Sequence, residues 1–352
     1  FDGSVSRVFR GPRTQFGSVV IPKYIQNEIF LPLNASYEID IWGQNYLNRK
    51  SAKKQAEIAK QQERAAYIYI TSSFAADYYN LIKMDELERN LLKIIDLQKN
   101  IVSMTEKKYN SGLASINEVL DEKQILVNFE KDLNKLKENK KILNDEADKA
   151  IELSDYQSIS SPQTPETLST TIIQFRPDLI SSEDYVKKSG IDVRVARREF
   201  LPKFILYGNL GFNAYKWNRM FAGETFLANA GIAPRWDIFT GGIKYEYKKA
   251  VEIYEKTVLT SIQEVNDALA EAKTTKANLI KSDEDYSIEK EKHILAEKQF
   301  SIGDSSMLDE MKSEVNLYVA KQRNIAAKID NVISSISLYN AVGGIDYTKN
   351  DL

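Results

Sequence analysis

Four long stretches of this 352-residue chain contain neither glycine nor proline, the residues that most often break a helix. They run from Gln44 to Ser111, from Leu113 to Ser161, from Ile243 to Ile302 and from Asp304 to Val342. All are rich in Ala, Glu, Lys, Leu, Ile and Gln. At about 1.5 Å per residue, the first predicts a helix on the order of 100 Å long. Helices of this length exceed the globular norm and indicate a coiled-coil-like assembly.

Apolar positions within these stretches follow the spacing of a helix face. The clearest set recurs at intervals of three and four residues, as expected where one side of a helix packs against a neighbour. Its members are Leu91, Ile94, Ile95, Gln98, Ile101 and Val102. A second, less regular set consists of Leu308, Met311, Val315 and Leu317. Both sets predict helices that bury one face.

A strand-like segment precedes the first helical stretch. From Leu31 to Trp42, the odd positions are apolar and most even positions are polar or acidic. The apolar set is Leu31, Leu33, Ala35, Tyr37, Ile39 and Ile41, and the polar set is Asn34, Ser36, Glu38 and Asp40. Successive side chains of a strand point to opposite sides of the sheet. The segment therefore predicts a strand with one apolar and one acidic face.

Three further segments alternate in the same way, Phe1 to Phe9, Lys203 to Asn213 and Leu227 to Phe239. The four predicted strands form two pairs, and each pair leads into a long helical stretch. The connections within the pairs, Arg10 to Phe30 and Ala214 to Phe226, are too long for two-residue hairpin turns. A half-buried sheet in a soluble protein alternates similarly, but strand pairs that lead into such long helices are not typical of that class.

The composition removes several classes of function. A formal net charge of −2 provides no basic field for nucleic acid. Cysteine is absent, which excludes disulfides and thiolate metal sites, and the single histidine, His293, lies in a charged helical stretch. The sequence has no glycine-rich phosphate loop. We therefore expect no catalytic site, no metal site, no cofactor and no nucleic-acid partner, and we expect that the chain is not an enzyme.

The turns between the helical stretches show that the chain contains an internal repeat. In each turn, an aromatic residue, a glycine, a serine and an acid follow one another at intervals of three positions. The two sets are Tyr109, Gly112, Ser115 and Glu118, and Phe300, Gly303, Ser306 and Asp309. Glycine suits the left-handed residue that ends a helix, and serine caps the next helix. Each turn therefore predicts the tip of a helical hairpin.

We divide the chain into two repeats on this basis. The first, 1–175, contains strands within 1–42 and a helical hairpin over 44–161. The second, 176–352, contains a helix over 178–200, strands within 203–239 and a hairpin over 243–342. The first repeat lacks a counterpart of helix 178–200, so we expect that a helix precedes Phe1 in the whole protein. The helical stretch after Gly242 is also shorter, by about two turns, than the one after Gly43.

Several motifs resemble those of TolC-superfamily outer-membrane efflux proteins, especially the lipoprotein (OprM/NodT-like) branch of tripartite drug-efflux ducts. They keep their order and extend over essentially the whole chain. The motifs are Ala35 to Gly43, Arg176 to Leu179, Trp236 to Gly242, Glu264 to Leu269 and Leu338 to Gly344. The lipid-bearing cysteine of that branch is absent from this sequence.

The resemblance implies an α+β membrane protein that acts as a passive efflux duct. Each protomer of a homotrimer would supply four strands to a twelve-stranded β-barrel in outer-membrane lipid. The long antiparallel helices would form an α-barrel through the periplasm of a Gram-negative bacterium. The implied partners are a periplasmic adaptor (membrane fusion) protein and an inner-membrane transporter. The implied cargo is drugs or other small molecules.

The resemblance also assigns functional roles to residues. Asp309 and Glu118, just past the hairpin tips, are the candidates for a periplasmic gate, whereas solvated helix residues are the plain alternative. The candidate adaptor-docking residues are Gly112, Leu113, Ala114, Ser115, Gly303, Asp304, Ser305 and Ser306. Trp42 and Trp236 are the candidates for the membrane-interface belt, with a core position as the alternative.

Two other functions remain open at the level of sequence. A type I secretion duct, which exports proteins, would carry the same strand and tip motifs. A soluble periplasmic coiled-coil adaptor or scaffold would account for the helices alone. The alternation from Leu31 to Trp42 argues against the scaffold, because a coiled coil needs no amphipathic strand.

Overall fold

The computed structural model describes residues 3–10, 13–15, 19–21, 23–146, 156–160, 162–236 and 243–345. Their α-helices are α1 (Gln44–Asn110), α2 (Ile116–Glu146), α3 (Pro177–Glu199), α4 (Ile243–Ser301) and α5 (Met307–Ala341). Their strands are β1 (Ser4–Arg10), β2 (Arg13–Gln15), β3 (Val19–Ile21), β4 (Tyr24–Ile39), β5 (Lys203–Ala214) and β6 (Phe226–Arg235). None of the described helices combines the length and the apolar character needed to cross a membrane.

The long helices predicted from the glycine- and proline-free stretches are confirmed. α1 has 67 residues and α4 has 59, so α4 is shorter by about two turns. The regularly spaced set on α1 is buried, and Leu91, Ile94 and Ile101 are each at most 1% exposed. Leu317 is only partly buried, so the face of α5 that packs inward does not centre on it.

The hairpin predicted over 44–161 extends too far at its C-terminal end. α2 is described to Glu146, residues 147–155 and Ser161 lie outside the described residues, and Tyr156–Ser158 form a 3-10 turn. Ile159 follows this turn and packs in a buried cluster with Ile82 of α1 and Ile329 of α5. Burial of this apolar side chain against two helices fixes the segment as an irregular connection.

The main sheet is antiparallel, with the order β1-β4-β5-β6, and β2 pairs separately with β3. β4 begins at Tyr24, earlier than the predicted start at Leu31, because its first half pairs with β1 from Arg10–Tyr24 to Ser4–Phe30. The expected connection from Arg10 to Phe30 is therefore largely strand. Prediction missed this half because its alternation is weaker.

β4 ends at Ile39, so the prediction that Asp40 and Trp42 belong to the strand is wrong. The carboxylate of Asp40 accepts hydrogen bonds from the backbone N–H groups of Asn45 and Tyr46, both at 3.0 Å. These are first-turn donors of α1, which have no partner within the helix. Gly43 adopts a φ of 66°, a conformation that glycine reaches without strain. The chain therefore turns at Asp40 to cap the helix.

The second strand pair agrees more closely with the sequence. β5 matches the predicted strand from Lys203 to Asn213, and the long connection that follows it contains two short 3-10 turns, Trp217–Arg219 and Gly223–Thr225. β6 ends at Arg235, before Trp236. The remaining residues assigned to strands, Phe1, Asp2, Asp237, Ile238 and Phe239, lie outside the described residues.

One face of the main sheet is apolar across all four strands, except at the paired Arg7 and Asn27. Residues directly opposite each other in neighbouring strands lie on the same face. The register places the following residues on this face: Val5, Phe9, Ile25, Leu33, Tyr37, Leu206, Leu210, Phe226 and Ile232. Their exposed fractions range from 44% to 65%. The other face carries Asn34, Ser36, Glu38 and Asn209. The protomer thus leaves most of the apolar side of its sheet exposed, whereas Met220 packs against Ile29 and Ala214 at one end of it.

The chain forms two compact units, each with segments from both predicted repeats. One contains Phe1–Glu57 and Asp184–Glu252, and the other contains Ile58–Glu183 and Ile253–Leu352. In the first unit, Leu47 of α1 packs with Ile191 and Val195 of α3. In the second unit, one buried cluster joins α1, α2 and α5 through Leu91, Ile94, Ile95, Ile101, Leu133, Leu308, Met311 and Val315.

Arg176 anchors the end of α5 within the second unit. Its guanidinium donates to the carbonyl oxygen of Ala341 at 2.7 Å and pairs with Asp178 at 2.8 Å and Glu264 at 2.5 Å. Gly343 has a φ of 79°, and a Cβ there would lie 2.9 Å from the Cα of Arg176. The Arg-Pro-Asp-Leu motif therefore joins the start of α3, the end of α5 and the middle of α4 at one buried cation.

Candidate functional site: the paired hairpin tips

The two hairpin tips share one backbone conformation. Gly112 and Gly303 have φ angles of 71° and 80°, in the left-handed region that favours glycine. At each tip, the glycine amide and the next amide donate to carbonyls of the preceding helix at 2.8 to 3.0 Å. These bonds are Gly112–Tyr109 and Leu113–Lys108, and Gly303–Phe300 and Asp304–Gln299. This pair of backbone hydrogen bonds is the pattern that ends a helix at a left-handed glycine, as the sequence predicted.

Ser115 and Ser306 cap the helices that follow, and Glu118 and Asp309 complete the caps. The Glu118 carboxylate accepts from the Ser115 backbone N–H at 3.0 Å, and the Ser115 hydroxyl oxygen accepts from the Glu118 N–H at 3.2 Å. Ser306 and Asp309 form the same reciprocal pair at 3.2 and 3.3 Å. Sequence reasoning identified the serines but missed the capping role of the acids, although the Ser-x-x-Glu spacing signals it.

Both tip acids are exposed and stay ionised at neutral pH. The backbone N–H of Ser115 is the main cause that lowers the pKa of Glu118 below its ordinary value. The hydroxyl of Ser306 is the main cause that lowers the pKa of Asp309. Lys108 and Lys312 stabilise both carboxylates further through their charges. Across the described residues, no three His, Asp or Glu side chains lie together as metal ligands would.

The two tips lie beside each other. The Nζ atom of Lys312, on α5, is 2.5 Å from the Oε1 atom of Glu122, on α2. Leu308 and Met311, in the first turns of α5, are buried in the cluster that also contains Ile101 near the end of α1. One protomer therefore brings both candidate gate acids and both candidate docking turns to the same end of its helices.

The tips expose two apolar side chains. Leu113 and Ile302 are both 78% exposed. A Cβ added at Gly112 or Gly303 would meet no heavy atom within 4 Å, so open space surrounds both turns. Ala114, Ser305 and Ser306 are partly buried, and Ser115 and Asp304 are exposed. The sequence assignment missed Ile302, which differs from its neighbours only in being apolar just before the tip glycine.

Trp42 and Trp236 bind the same connection, between α3 and β5. The indole Nε1 of Trp42 donates to the Pro202 carbonyl at 2.8 Å, and that of Trp236 donates to the Phe200 carbonyl at 3.0 Å. Their exposed fractions are 40% and 65%. Each tryptophan lies just past the end of a strand, and its ring remains available to a surrounding medium.

A family model described as outer membrane efflux protein matches residues 26–144 and 168–344. The toluene efflux pump outer membrane protein TtgC of Pseudomonas putida is 26% identical over 341 residues, covering 88% of this chain and 68% of TtgC. The pyoverdine export outer membrane protein OpmQ of Pseudomonas aeruginosa is 22% identical over 330 residues, covering 89% of this chain and 69% of OpmQ.

The fold has close counterparts among solved structures. The crystal structure of the CmeC outer membrane channel of Campylobacter jejuni superposes with a TM-score of 0.82 at 24% identity. The superposition covers 99% of this chain and 78% of that one. The family match covers most of β4, all of β5 and β6, and both helical hairpins. The chain therefore belongs to the outer membrane efflux protein family, and it is an efflux channel protein of the Gram-negative outer membrane.

Proposed function

We propose that three copies of this chain form a passive channel through which a tripartite pump expels small molecules across the outer membrane. The observation that carries this proposal is the largely exposed apolar face, which extends across all four strands of the main sheet apart from the paired Arg7 and Asn27. Such a face is suited to contact with lipid. The polar opposite face is suited to a water-filled lumen.

The edges of the sheet explain why several copies are needed. The outer strands β1 and β6 each leave one side of their backbone unpaired within the main sheet. Unpaired backbone groups are too costly to persist in hydrocarbon, so an open four-stranded sheet is not stable there. If β6 of one copy pairs with β1 of the next, a ring of three copies removes every edge. The resulting barrel has twelve strands, an even number that membrane barrels commonly use.

The helices continue the conduit on the periplasmic side in this proposal. α1, α2, α4 and α5 of each copy would line a common passage. Efflux is driven by the partners, a periplasmic adaptor and an inner-membrane transporter, because this chain carries no phosphate-binding loop. TtgC and OpmQ are named for toluene efflux and pyoverdine export. We extend only the common property, a small-molecule cargo, to this chain.

The paired tips form the gate and the docking surface of the proposed channel. In a threefold ring, each acid would occur three times around the axis, and Asp309 is the better candidate for the constriction. Like charges held close together repel, and such a ring attracts cations. The exposed apolar tip formed by Leu113 and Ile302 would contact the adaptor. Trp42 and Trp236 would lie at the membrane interface.

Of the two alternatives from the sequence, only the soluble scaffold fits the structure less well. A soluble scaffold does not need the exposed apolar face of the main sheet. A type I secretion duct shares the sheet and the tips. The neighbouring genes distinguish a small-molecule efflux duct from a type I secretion duct, since small-molecule efflux predicts genes for an adaptor and a drug pump beside this one.

Replacement of Leu113 by Asp tests the docking surface. The side chain is 78% exposed, so the substitution should leave the protomer fold and the trimer intact while adding a charge to an apolar contact. We expect that cells with L113D accumulate ethidium as cells without the channel do. L113M, which keeps an apolar side chain, should expel ethidium normally. Normal efflux by the double variant L113D/I302D, with trimers present on a gel, would contradict docking at the tips.

A further inference from the structure

Three polar side chains from three helices meet just inside the tips. Gln98 of α1 donates through Nε2 to the Oε2 atom of Glu122 at 2.7 Å and to its backbone carbonyl at 3.1 Å. The Oε1 atom of the same carboxylate pairs with Lys312 at 2.5 Å. Counted over the whole residue, Gln98 is 2% exposed and Glu122 is 8% exposed. Both oxygens of a buried carboxylate are therefore satisfied by side chains from other helices.

This arrangement holds Lys312 in one place. A buried carboxylate is stable only if it is paired and hydrogen-bonded, so Glu122 requires the lysine. A lysine side chain is otherwise flexible and strongly hydrated, and its charge has no fixed position. The side chain of Lys312 is 47% exposed, whereas that of Glu122 is 11% exposed. The solvent therefore sees mainly the positive member of the pair.

Lys312 and its partner Glu122 lie on the same faces of α5 and α2 as the proposed gate acids. It follows Asp309 by three positions on α5, and Glu122 follows Glu118 by four positions on α2. Both spacings place side chains next to each other along a helix. The ammonium group thus lies one turn inside the acids. The lowered pKa values of Glu118 and Asp309 agree with this, since the charge of Lys312 contributes to both.

We propose that Lys312, positioned by Glu122 and Gln98, sets the ion selectivity of the pore mouth by offsetting the charge of the gate acids. In a ring of three copies, a fixed cation would stand beside each Asp309. Such a mouth admits anionic and zwitterionic small molecules that an uncompensated acidic ring would repel. Lys312 is thus the residue that determines which charge class of cargo passes. The inference rests on the proposed channel function.

The test measures reversal potentials of the purified full-length channel in a planar bilayer under a potassium chloride gradient. K312Q should raise the permeability ratio of potassium over chloride severalfold, because the acids lose their counter-charge. E122Q should lower that ratio, because Lys312 loses its partner and its full positive charge faces the pore. K312R, which keeps the charge, should match the wild type.

The direction of the shifts separates this role from a structural one. If the ion pair only held the tips together, K312Q and E122Q would loosen them alike and shift the ratio in the same direction, which would overturn the inference. The inference also fails if D309N changes the ratio and K312Q does not, and the proposed gate then stands. If the wild-type protein forms no conducting pore, the proposed function itself fails.

Discussion

Glu118 and Asp309 each stabilise the start of a helix, independently of any role in a gate. Their carboxylates close reciprocal caps with Ser115 and Ser306, so the acids are fixed at the starts of α2 and α5. In a gate built from them, the carboxylates are fixed by hydrogen bonds to the cap residues. Any movement of the acids therefore also moves the first turns of α2 and α5. This coupling connects the electrostatics of the mouth to the packing of the hairpins.

We predict that S306A weakens the start of α5. Loss of a serine cap costs about 1 kcal/mol, which corresponds to about fivefold faster local opening. Hydrogen exchange of the backbone amides in the first turn of α5 should accelerate by that factor in S306A. S306T, which retains a capping hydroxyl, should remain close to the wild type. Equal exchange in S306A and the wild type would contradict the capping role.

The difference in hydrogen exchange between S306A and the wild type should depend on pH. The pKa of Asp309 is lowered from its ordinary value of 3.8, so the folded tip favours the ionised carboxylate. Its contribution is complete above about pH 3.8 and is lost as the pH falls through the lowered pKa. After correction for intrinsic exchange rates, the wild type should therefore approach S306A only in that acidic range.

At the residue scale, the sequence predicts what depends on local chemistry. Gly112, Gly303, Ser115 and Ser306 were identified because turn and cap residues act on neighbours a few positions away. The group of Gln98, Glu122 and Lys312 was not identified as a unit, because its members belong to three helices. Only the packing of those helices brings them together, and no spacing along the chain signals it.

At the scale of the elements, alternation predicted the faces of the strands better than their ends. Leu33 and Tyr37 lie on the exposed apolar face, as their odd positions indicated. The end of β4 was misplaced because Asp40 continues the alternation and yet caps α1. A close contact also fixes the register: a Cβ at Gly211 would lie 2.5 Å from the carbonyl oxygen of Leu31. The need for glycine at this position arises from the neighbouring strand, so the spacing along the chain does not predict it.

A pair of lysine substitutions tests the two faces of the sheet. L33K places a charge on the apolar face and should impair insertion and assembly, at a cost of about 2 to 4 kcal/mol near the bilayer centre. S36K lies on the same strand but on the opposite face, and we expect assembly close to that of the wild type. Both positions are exposed in the protomer, so neither change disturbs its core. Similar amounts of assembled trimer in the outer membrane for both variants would contradict the assignment of the faces.

At the scale of the whole molecule, the sequence predicts the components of the assembly, and the resemblance to a family supplies their arrangement. Glycine- and proline-free stretches predicted the two longest helices, which have 67 and 59 residues in the structure, because helix breakers act locally. The two compact units draw on both repeats, since strands distant in sequence share one sheet. Spacing along the chain does not specify how many copies close a sheet. In the proposed channel that number is three, as the family resemblance implies.

The channel proposal depends most on the closure of three four-stranded sheets into one barrel. Electron cryo-microscopy of the full-length protein in lipid nanodiscs tests this closure directly. We predict a threefold particle in which β6 of each copy pairs with β1 of the next and twelve strands lie within the lipid. A monomeric particle, or a ring in which β1 and β6 remain unpaired, would contradict the account.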